Sequence, residues 1–477
     1  MKLFLPRLPL IIATAILNVL SLSPASEHQE GIKGSMWVAT CALGVEKEFN
    51  KEDAKEGDIA KGVKIPNVRQ ALFKAIEVLG DGTETYTMPN VKDIEAEWTG
   101  YRSNVGTKER RLNLPEEEQY KKLMEDENRT SDVTILYLHG GAHVAMDPAS
   151  HREPVANLCK YTRGRALSLR YRLAPQNPFP ASLLDAFIAY LYLLSPPAGA
   201  FHEPVDAESI FLSGDSAGGG LATSLLLTLL TLRREGVTQV RYNGEIVDIT
   251  PPAGAILCSP WVDISRSMPS VYRNAKYDYI PPPTKAQSMP PVPMDLPADE
   301  VWPTKPPRVE MFCNASAIVH PLVSPIAASR QMWEGHPPVW ISTGSEGLQD
   351  EDLILAERLA ATGSTVLEVF DGMPHVFAFM FPKIQWSEEW FKSSTEFVTT
   401  IVSDRAMQTS MRLWTKNKGP QQMDLEKMIV EFVGDDTEIN RRLNAGKEWR
   451  VKAEDEMVKK WEAASDKDSV RFKVKNA

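Results

Sequence analysis

The sequence predicts an α/β fold in which a mostly parallel central sheet is covered by helices on both faces. From residue 133 onward, short apolar runs each end on turn residues, and helix-like segments such as "SLLDAFIAYLYLL" and "LATSLLLTLLTLRR" lie between several of them. Strands covered on both faces are continuously apolar, whereas half-exposed strands alternate. The runs are "VTILYLHGG", "ALSLRYRLAP", "SIFLSGDS", "AGAILCSP", "VWISTGSE" and "TVLEVFDG".

The size and composition of the chain limit its possible organisation and partners. Its 477 residues, 43% of them hydrophobic, suit one large domain with extensions or two to three small domains. A net charge of −10 argues against a nucleic-acid partner. The four cysteines lie far apart and form no CxxC pair, so neither a metal site nor a disulfide framework is predicted.

The N-terminus carries a hydrophobic leader over residues 1–25. Lys2 and Arg7 precede an apolar stretch that ends at Leu22, shorter than the roughly 20 apolar residues of a spanning helix. Positive residues before this stretch and acidic residues after it favour a signal peptide or a membrane anchor with the rest of the chain translocated. The expected location is therefore the endoplasmic reticulum or the cell exterior, with membrane association through the leader. Two N-x-S/T sequons, at Asn128 and Asn314, fit that route. A buried or amphipathic N-terminal helix is the alternative.

Changes in composition and hydrophobic pattern divide the rest of the chain into regions. Residues 26–130 are polar with helical patches and are expected to contribute to a cap, whereas 131–403 carry the alternating strands and helices. Within the latter, 264–325 interrupt the alternation with "IPPPTKAQSMPPVPMDLP", which is too rich in proline for a core element and predicts a cap-like insertion. Residues 404–477 are charged and helix-prone and are interpreted as a solvated helical extension.

A candidate nucleophile lies in "SIFLSGDSAGGG", where Ser216 stands between an apolar strand and a helix-like segment. A strand-to-helix turn of the form GxSxG presents the serine hydroxyl above the sheet edge, and the helix N-terminus behind it favours a developing anion. A tight turn with a merely structural serine is the alternative. Nucleophilic catalysis also requires a base, an acid and an oxyanion site elsewhere in the chain.

The expected oxyanion site follows an earlier strand, in "ILYLHGGAHV". Gly140 and Gly141 expose backbone N–H groups there, and the N–H of Ala217 is the natural complement from the nucleophile turn. His139 is expected to orient this loop rather than to transfer protons. A simple strand-ending turn is the alternative.

The expected base is His375, because it comes just after the last apolar strand, at the sheet edge where the other loops converge. The acid should follow the preceding strand, where "VWISTGSEGLQDE" offers Glu346 and then Asp350. Glu346 leaves the strand end first and is preferred, with Asp350 as second choice. The order Ser216, Glu346, His375 is nucleophile, acid, base.

Six ordered motifs over residues 130–400 resemble the hormone-sensitive-lipase branch of the α/β-hydrolases: "HGGAH", "YRLAPQNPFPASLLDA", "GDSAGGG", "SPWVDI", "GSEGLQDE" and "GMPHVF". With its leader, the chain looks most similar to fungal steryl-acetate and arylacetamide-deacetylase-like esterases. The resemblance implies a serine esterase without a cofactor, with Ser216 as nucleophile, His375 as base, and Gly140, Gly141 and Ala217 as oxyanion donors. Two positions depart from the pattern: Ala142 replaces a third glycine, and Glu346 stands where an aspartate is usual.

The expected function is hydrolysis of short-to-medium acyl esters of apolar alcohols through an acyl-serine intermediate. Acyl transfer or amide hydrolysis by the same triad is the alternative, and a catalytically silent binding protein is a further one. The N-terminal region and the insertion are expected to roof an apolar pocket. Its candidate lining residues are Trp98, Tyr101, Tyr277, Tyr279 and Trp302.

Overall fold

A ten-stranded sheet forms the centre of the protein in a computed structural model that describes residues 35–44, 65–106, 109, 111–283, 300–416 and 418–475. Its order is β1-β2-β4-β3-β5-β8-β9-β10-β11-β12, and β6 and β7 pair in a separate hairpin. The strands are β1 Met36–Ala42, β2 Glu95–Tyr101, β3 Thr134–Leu138, β4 Arg165–Leu169, β5 Ile210–Asp215, β6 Gln239–Tyr242, β7 Glu245–Asp248, β8 Gly254–Cys258, β9 Val339–Gly344, β10 Thr365–Phe370, β11 Ser410–Thr415 and β12 Gly419–Gln422.

Helices connect and cover these strands. Two of the helices begin with a capping box supplied by the sequence: Asn67 and Gln70 form one at α1, and Asp147 and Ser150 form another at α3. The helices are α1 Val68–Leu79, α2 Glu116–Met124, α3 Pro148–Thr162, α4 Ala181–Leu194, α5 Ser216–Arg234, α6 Ser270–Arg273, α7 Gln349–Ala360, α8 Phe377–Met380, α9 Gln385–Val402, α10 Leu425–Phe432 and α11 Asp436–Lys475.

The parallel core follows the predicted apolar runs. Strands β3, β4, β5, β8, β9 and β10 run parallel, and every residue in them is buried. Full burial removes the alternation that a half-exposed strand would show, so these strands appear in the sequence as continuous apolar runs. Their carboxyl ends share one edge, which is where loops from a parallel sheet form ligand sites. The predicted fold class is therefore confirmed.

The N-terminal region contributes two strands to the central sheet. Strands β1 and β2 join the same sheet, with β2 antiparallel both to β1 and to β4. Trp98 on β2 is fully buried in the core beside Tyr120 and His202, so it does not line a pocket. The predicted boundary at residue 130 therefore does not separate a cap from the sheet, because backbone pairing crosses it.

The C-terminal region also departs from its predicted form. Strand β11 pairs parallel to β10, and β12 pairs antiparallel to β11, so the sheet continues past residue 403. Within α11, Ile439, Leu443 and Arg450 are buried. The prediction of a solvated helical extension over 404–477 is therefore wrong for these parts, because tertiary contacts bury them.

Some predicted features lie partly or wholly outside the described residues. The leader over 1–25 is outside them, as are residues 284–299 of the proline-rich insertion. None of the helices described here combines the length and the apolar character that crossing a membrane requires. All four cysteines are buried free thiols.

Candidate active site

Ser216 lies at the sharp turn between β5 and α5. Its φ of 51° falls in the left-handed region, which costs a non-glycine residue energy and recurs at functional turns. The carbonyl of Ser216 accepts a hydrogen bond of 2.8 Å from the Trp261 N–H, which ties the turn to the loop after β8. Any side chain at Gly218 would collide with the carbonyl of Leu138, so glycine is required for this close approach.

His375 and Glu346 meet at the same edge of the sheet. His375 follows β10 and Glu346 follows β9, and both side chains are buried. The His375 imidazole hydrogen-bonds through Nδ1 to Oε2 of Glu346. The other carboxylate oxygen accepts hydrogen bonds from Ser259 Oγ at 2.5 Å and from the Gly344 N–H at 2.8 Å. These bonds fix the carboxylate, which leaves Oε2 to orient the imidazole.

Electrostatics within this pair favour a charged imidazole. Burial alone would lower the pKa of His375, but the Glu346 carboxylate and its hydrogen bond outweigh it and raise the pKa above its usual value. Burial would likewise raise the pKa of Glu346, yet His375 and the hydrogen bonds lower it. Asp215, the residue before Ser216, also contributes to raising the pKa of His375. The pair can therefore stabilise a proton taken up by the imidazole.

Asp350, the second-choice acid, lies elsewhere. Its carboxylate pairs with the Arg273 guanidinium, one contact measuring 3.0 Å, and accepts a hydrogen bond of 2.7 Å from the Ser270 N–H. Asp350 therefore braces α6 against α7, and the geometry brings Glu346 rather than Asp350 to His375.

The oxyanion loop, residues 139–146, presents different N–H groups from those expected. The Gly140 N–H donates to Oδ1 of Asp215 at 2.9 Å and is therefore already engaged. Gly141 and Ala142 have φ of 114° and 55°, and their N–H groups donate to no other residue within the described part of the chain. Ala217 lies in the first turn of α5, where helix N–H groups lack intrahelical partners. The candidate donors are thus Gly141, Ala142 and Ala217, which corrects the inclusion of Gly140.

His139 supports this loop, as expected. Its ring stacks on Tyr171 with centroids 4.3 Å apart, and the Tyr171 hydroxyl donates to the His139 carbonyl at 2.6 Å. Burial lowers the pKa of His139 to about 4, which keeps the ring neutral near pH 7. A neutral, stacked ring fits an orienting role.

Asp215 is a positioning residue that the sequence did not single out. Its buried carboxylate accepts hydrogen bonds from the Tyr137 hydroxyl at 2.7 Å and from the Gly140 N–H at 2.9 Å, and it faces the His151 ring. It therefore joins the nucleophile turn to the oxyanion loop. The available signal was an acidic residue directly before the serine of GxSxG.

Asp278 is a second residue that sequence reasoning missed. Its carboxylate accepts hydrogen bonds from the Gly347 N–H at 2.7 Å and the His375 N–H at 3.3 Å. It thereby connects the loop of the candidate acid to the loop of the candidate base. The adjacent Tyr279 ring lies 5.9 Å from the His375 ring, edge to face, whereas Tyr277 is exposed. No sequence motif marks Asp278, because its role depends on where the insertion folds back.

We expect Asp278→Asn to shift the acidic limb of the kcat/KM profile to lower pH. The Asp278 charge contributes to the raised pKa of His375, so its removal lowers that pKa, and the neutral base persists into more acidic solution. The measurement is the pH dependence of p-nitrophenyl acetate hydrolysis. Asp371→Asn, an exposed carboxylate near the same edge, is the control and should leave the profile unchanged. An unchanged limb in Asp278→Asn would refute this electrostatic role.

Metal-assisted chemistry has no candidate ligand set in this part of the molecule. Among the residues that the structure describes, no three histidine, cysteine, aspartate or glutamate side chains are arranged to hold a metal ion.

Comparisons with known proteins identify the family of the chain. A family model described as the alpha/beta hydrolase fold matches residues 135–379. An acetyl-hydrolase from Streptomyces hygroscopicus is 28% identical over 58% of this chain and 78% of its own length. An ethyl acetate hydrolase from Pseudomonas putida is 31% identical over 31% of this chain and 42% of its own length.

Solved structures are similar as well. The crystal structure of an esterase/lipase from an uncultured bacterium is 24% identical, covering 75% of this chain and 97% of its own, with a TM-score of 0.47. An esterase from the bacterial hormone-sensitive lipase family is 25% identical, covering 71% of this chain and 93% of its own, with a TM-score of 0.45. The family match covers just over half of the 477 residues, including the nucleophile turn and the loops of Glu346 and His375. The chain therefore belongs to the alpha/beta hydrolase family.

Proposed function

We propose that this protein is a serine carboxylic-ester hydrolase that uses Ser216, His375 and Glu346. The observation that carries the proposal is the buried His375–Glu346 hydrogen bond, at the sheet edge where the strained Ser216 turn also lies. A buried carboxylate that orients an imidazole near a strained serine suits acyl transfer chemistry. The names of the relatives, acetyl-hydrolase and ethyl acetate hydrolase, support esters with short acyl groups as substrates.

In the proposed mechanism, His375 removes the Ser216 proton as the hydroxyl oxygen attacks the ester carbonyl carbon. The N–H groups of Gly141, Ala142 and Ala217 stabilise the oxyanion, each contributing roughly 3 kcal/mol. When the intermediate collapses, His375 returns the proton to the leaving alcohol, and the acyl group remains on Ser216. Water then attacks the acyl carbon while His375 takes its proton, and the carboxylic acid leaves as Ser216 regains a proton.

We expect the substrate pocket to favour short acyl groups. The ring of Phe312, from the insertion, stacks on His143 of the oxyanion loop with centroids 3.8 Å apart, so part of the insertion packs directly against the candidate site. Rates should fall for acyl chains beyond about ten carbons, because the insertion is expected to roof the pocket and limit its length. A p-nitrophenyl ester series from acetate to palmitate measures this, with the acetate ester as the internal reference. Strong activation on emulsified long-chain triglyceride would instead identify a true lipase.

Three further measurements distinguish the ester hydrolase from the alternative functions. Transfer of the acyl group to an added alcohol in preference to water would identify an acyltransferase, and faster cleavage of the matched anilide would identify an amidase. Failure of a fluorophosphonate probe to label Ser216 in folded protein would support a binding protein without catalysis.

We further propose that the leader over residues 1–25 directs the chain to the endoplasmic reticulum, with the body in the lumen. Protein made in a eukaryotic cell should then lose apparent mass on endoglycosidase treatment. The double variant Asn128→Gln/Asn314→Gln is expected to remove this shift. Both asparagines are partly buried and donate through their side-chain amides in the folded protein, Asn128 to the Lys160 carbonyl and Asn314 to Thr85, so both sequons are removed together in this test. An unmodified, full-length cytosolic chain would contradict the proposal and favour a buried N-terminal helix.

A further inference from the structure

The long C-terminal helix α11 contacts the part of the insertion that follows residue 300. Arg450, on α11, is 2% exposed, which is unusual for an arginine on a helix with so many charged residues. Its guanidinium donates to Oε1 of Glu310 at 2.6 Å and to the carbonyl of Ser265 at 3.0 Å. This single side chain therefore joins α11 to both described parts of the insertion, residues 264–283 and 300–325.

Glu454, one turn further along α11, binds the backbone of the insertion between Val309 and Ala315. Its two carboxylate oxygens accept hydrogen bonds from the Val309 N–H at 2.9 Å and the Ala315 N–H at 3.0 Å. Both donors are backbone groups, so Glu454 fixes the path of the chain rather than one side chain. Residues 309–315 are thereby fastened at both ends, and we call them the clamped segment.

Phe312 lies in the middle of the clamped segment and packs on the oxyanion loop. Its ring stacks on His143 with centroids 3.8 Å apart and an interplanar angle of 11°. The Phe312 carbonyl accepts a hydrogen bond of 2.6 Å from the Phe179 N–H, which fixes the backbone beside the stack. His143 stacks in turn near Trp261, whose N–H binds the carbonyl of Ser216.

The oxyanion loop needs such support. Gly141, Ala142 and His143 have φ of 114°, 55° and 62°, so three consecutive residues lie in the left-handed region and two of them are not glycine. Backbone of this kind persists only where its surroundings hold it in place. Gly141 and Ala142 carry N–H groups of the candidate oxyanion hole, and the Phe312 ring packs directly on the residue that follows them.

We propose that α11 is a positioning element for the oxyanion hole: Arg450 and Glu454 hold the clamped segment so that Phe312 fixes the loop at Gly141–His143. This inference rests on the proposed ester hydrolase function for its catalytic consequence. It assigns the C-terminal helix a role in the site, although the helix lies far from Ser216 in sequence and contributes no group to the reacting atoms.

The test is Glu454→Ala, with Glu456→Ala, an exposed carboxylate on the same helix, as the matched control. We expect about a tenfold fall in kcat for p-nitrophenyl acetate with KM unchanged within about twofold, because displaced donors weaken transition-state rather than ground-state binding. Glu454→Gln keeps one acceptor and should recover part of the rate. Phe312→Ala should lower kcat similarly, and combining it with Glu454→Ala should add little, since both act through one contact.

Hydrogen exchange provides a readout that does not depend on activity. In Glu454→Ala, amide exchange should accelerate both in the clamped segment and in the oxyanion loop, while peptides from β5 and β8 keep wild-type rates. Faster exchange in the clamped segment alone, or an unchanged kcat in a folded Glu454→Ala protein, would overturn the inference. If wild-type protein cleaves no ester, the proposed function fails, and exchange in the oxyanion loop still decides the structural inference.

Discussion

Ser216→Ala is expected to abolish ester hydrolysis while the fold is retained. Alanine keeps the Cβ and removes only the hydroxyl that forms the acyl intermediate, so kcat should fall by about three orders of magnitude or more. The residue is only half-buried, and alanine at the same left-handed φ costs about as much as serine, so the thermal unfolding midpoint should change little.

The measurement is p-nitrophenyl acetate or butyrate hydrolysis, together with labelling by a fluorophosphonate probe and circular dichroism. Ser345→Ala is the control, because Ser345 lies at the same sheet edge and, among the described residues, its hydroxyl hydrogen-bonds to Asp371 and Gly372 of the neighbouring loop. It should keep wild-type activity and labelling. Activity of Ser216→Ala above a few per cent of wild type would remove Ser216 from the nucleophile role.

Glu346→Gln should have the second largest effect. Glutamine preserves the volume of the side chain but loses the charge that stabilises the imidazolium, and its amide group can present a donor where Nδ1 requires an acceptor. We expect kcat to fall by about three to four orders of magnitude. The acidic limb of the pH profile should also move to lower pH, since the carboxylate raises the pKa of His375.

Asp350→Asn is the matched comparison, because Asp350 follows the same strand, in the first turn of α7, and was the second candidate for the acid. It pairs with Arg273 rather than with His375, so its loss should lower the free energy of unfolding by about 1–3 kcal/mol and leave kcat largely unchanged. A reversed outcome, with Asp350→Asn inactive and Glu346→Gln active, would reassign the acid.

Positions of the catalytic candidates could be predicted from the sequence because they depend on local rules. The buried parallel strands appear as apolar runs, and a serine between a strand and a helix identifies its own turn. Ser216, Glu346 and His375 each follow such a strand, and the carboxyl ends of parallel strands share one edge. The order of the residues in the chain and their positions at strand ends were therefore enough to predict that Glu346 and His375 lie close together.

The edge strands escaped prediction because their own residues carry little signal. In β12 the residues are Gly419, Pro420, Gln421 and Gln422, none of them buried, and the strand exists only because its backbone pairs with β11. Strands β1 and β2 lie in a region whose polar composition indicates a cap, although Trp98 on β2 is completely buried. Such strands form because their backbones pair with segments far away in the chain, and the hydrophobic periodicity of one segment carries no information about that pairing.

By itself, the sequence determined the α/β fold and the three side chains of the candidate triad, because burial of each strand and the turn that follows it are encoded locally. Only the tertiary structure decided that the Gly140 N–H is taken by Asp215, that Asp278 joins the loops of Glu346 and His375, and that α11 holds the clamped segment. Each of these is a hydrogen bond between residues far apart in the chain. Their formation depends on how the loops and the insertion pack in three dimensions, which no pattern within one segment specifies.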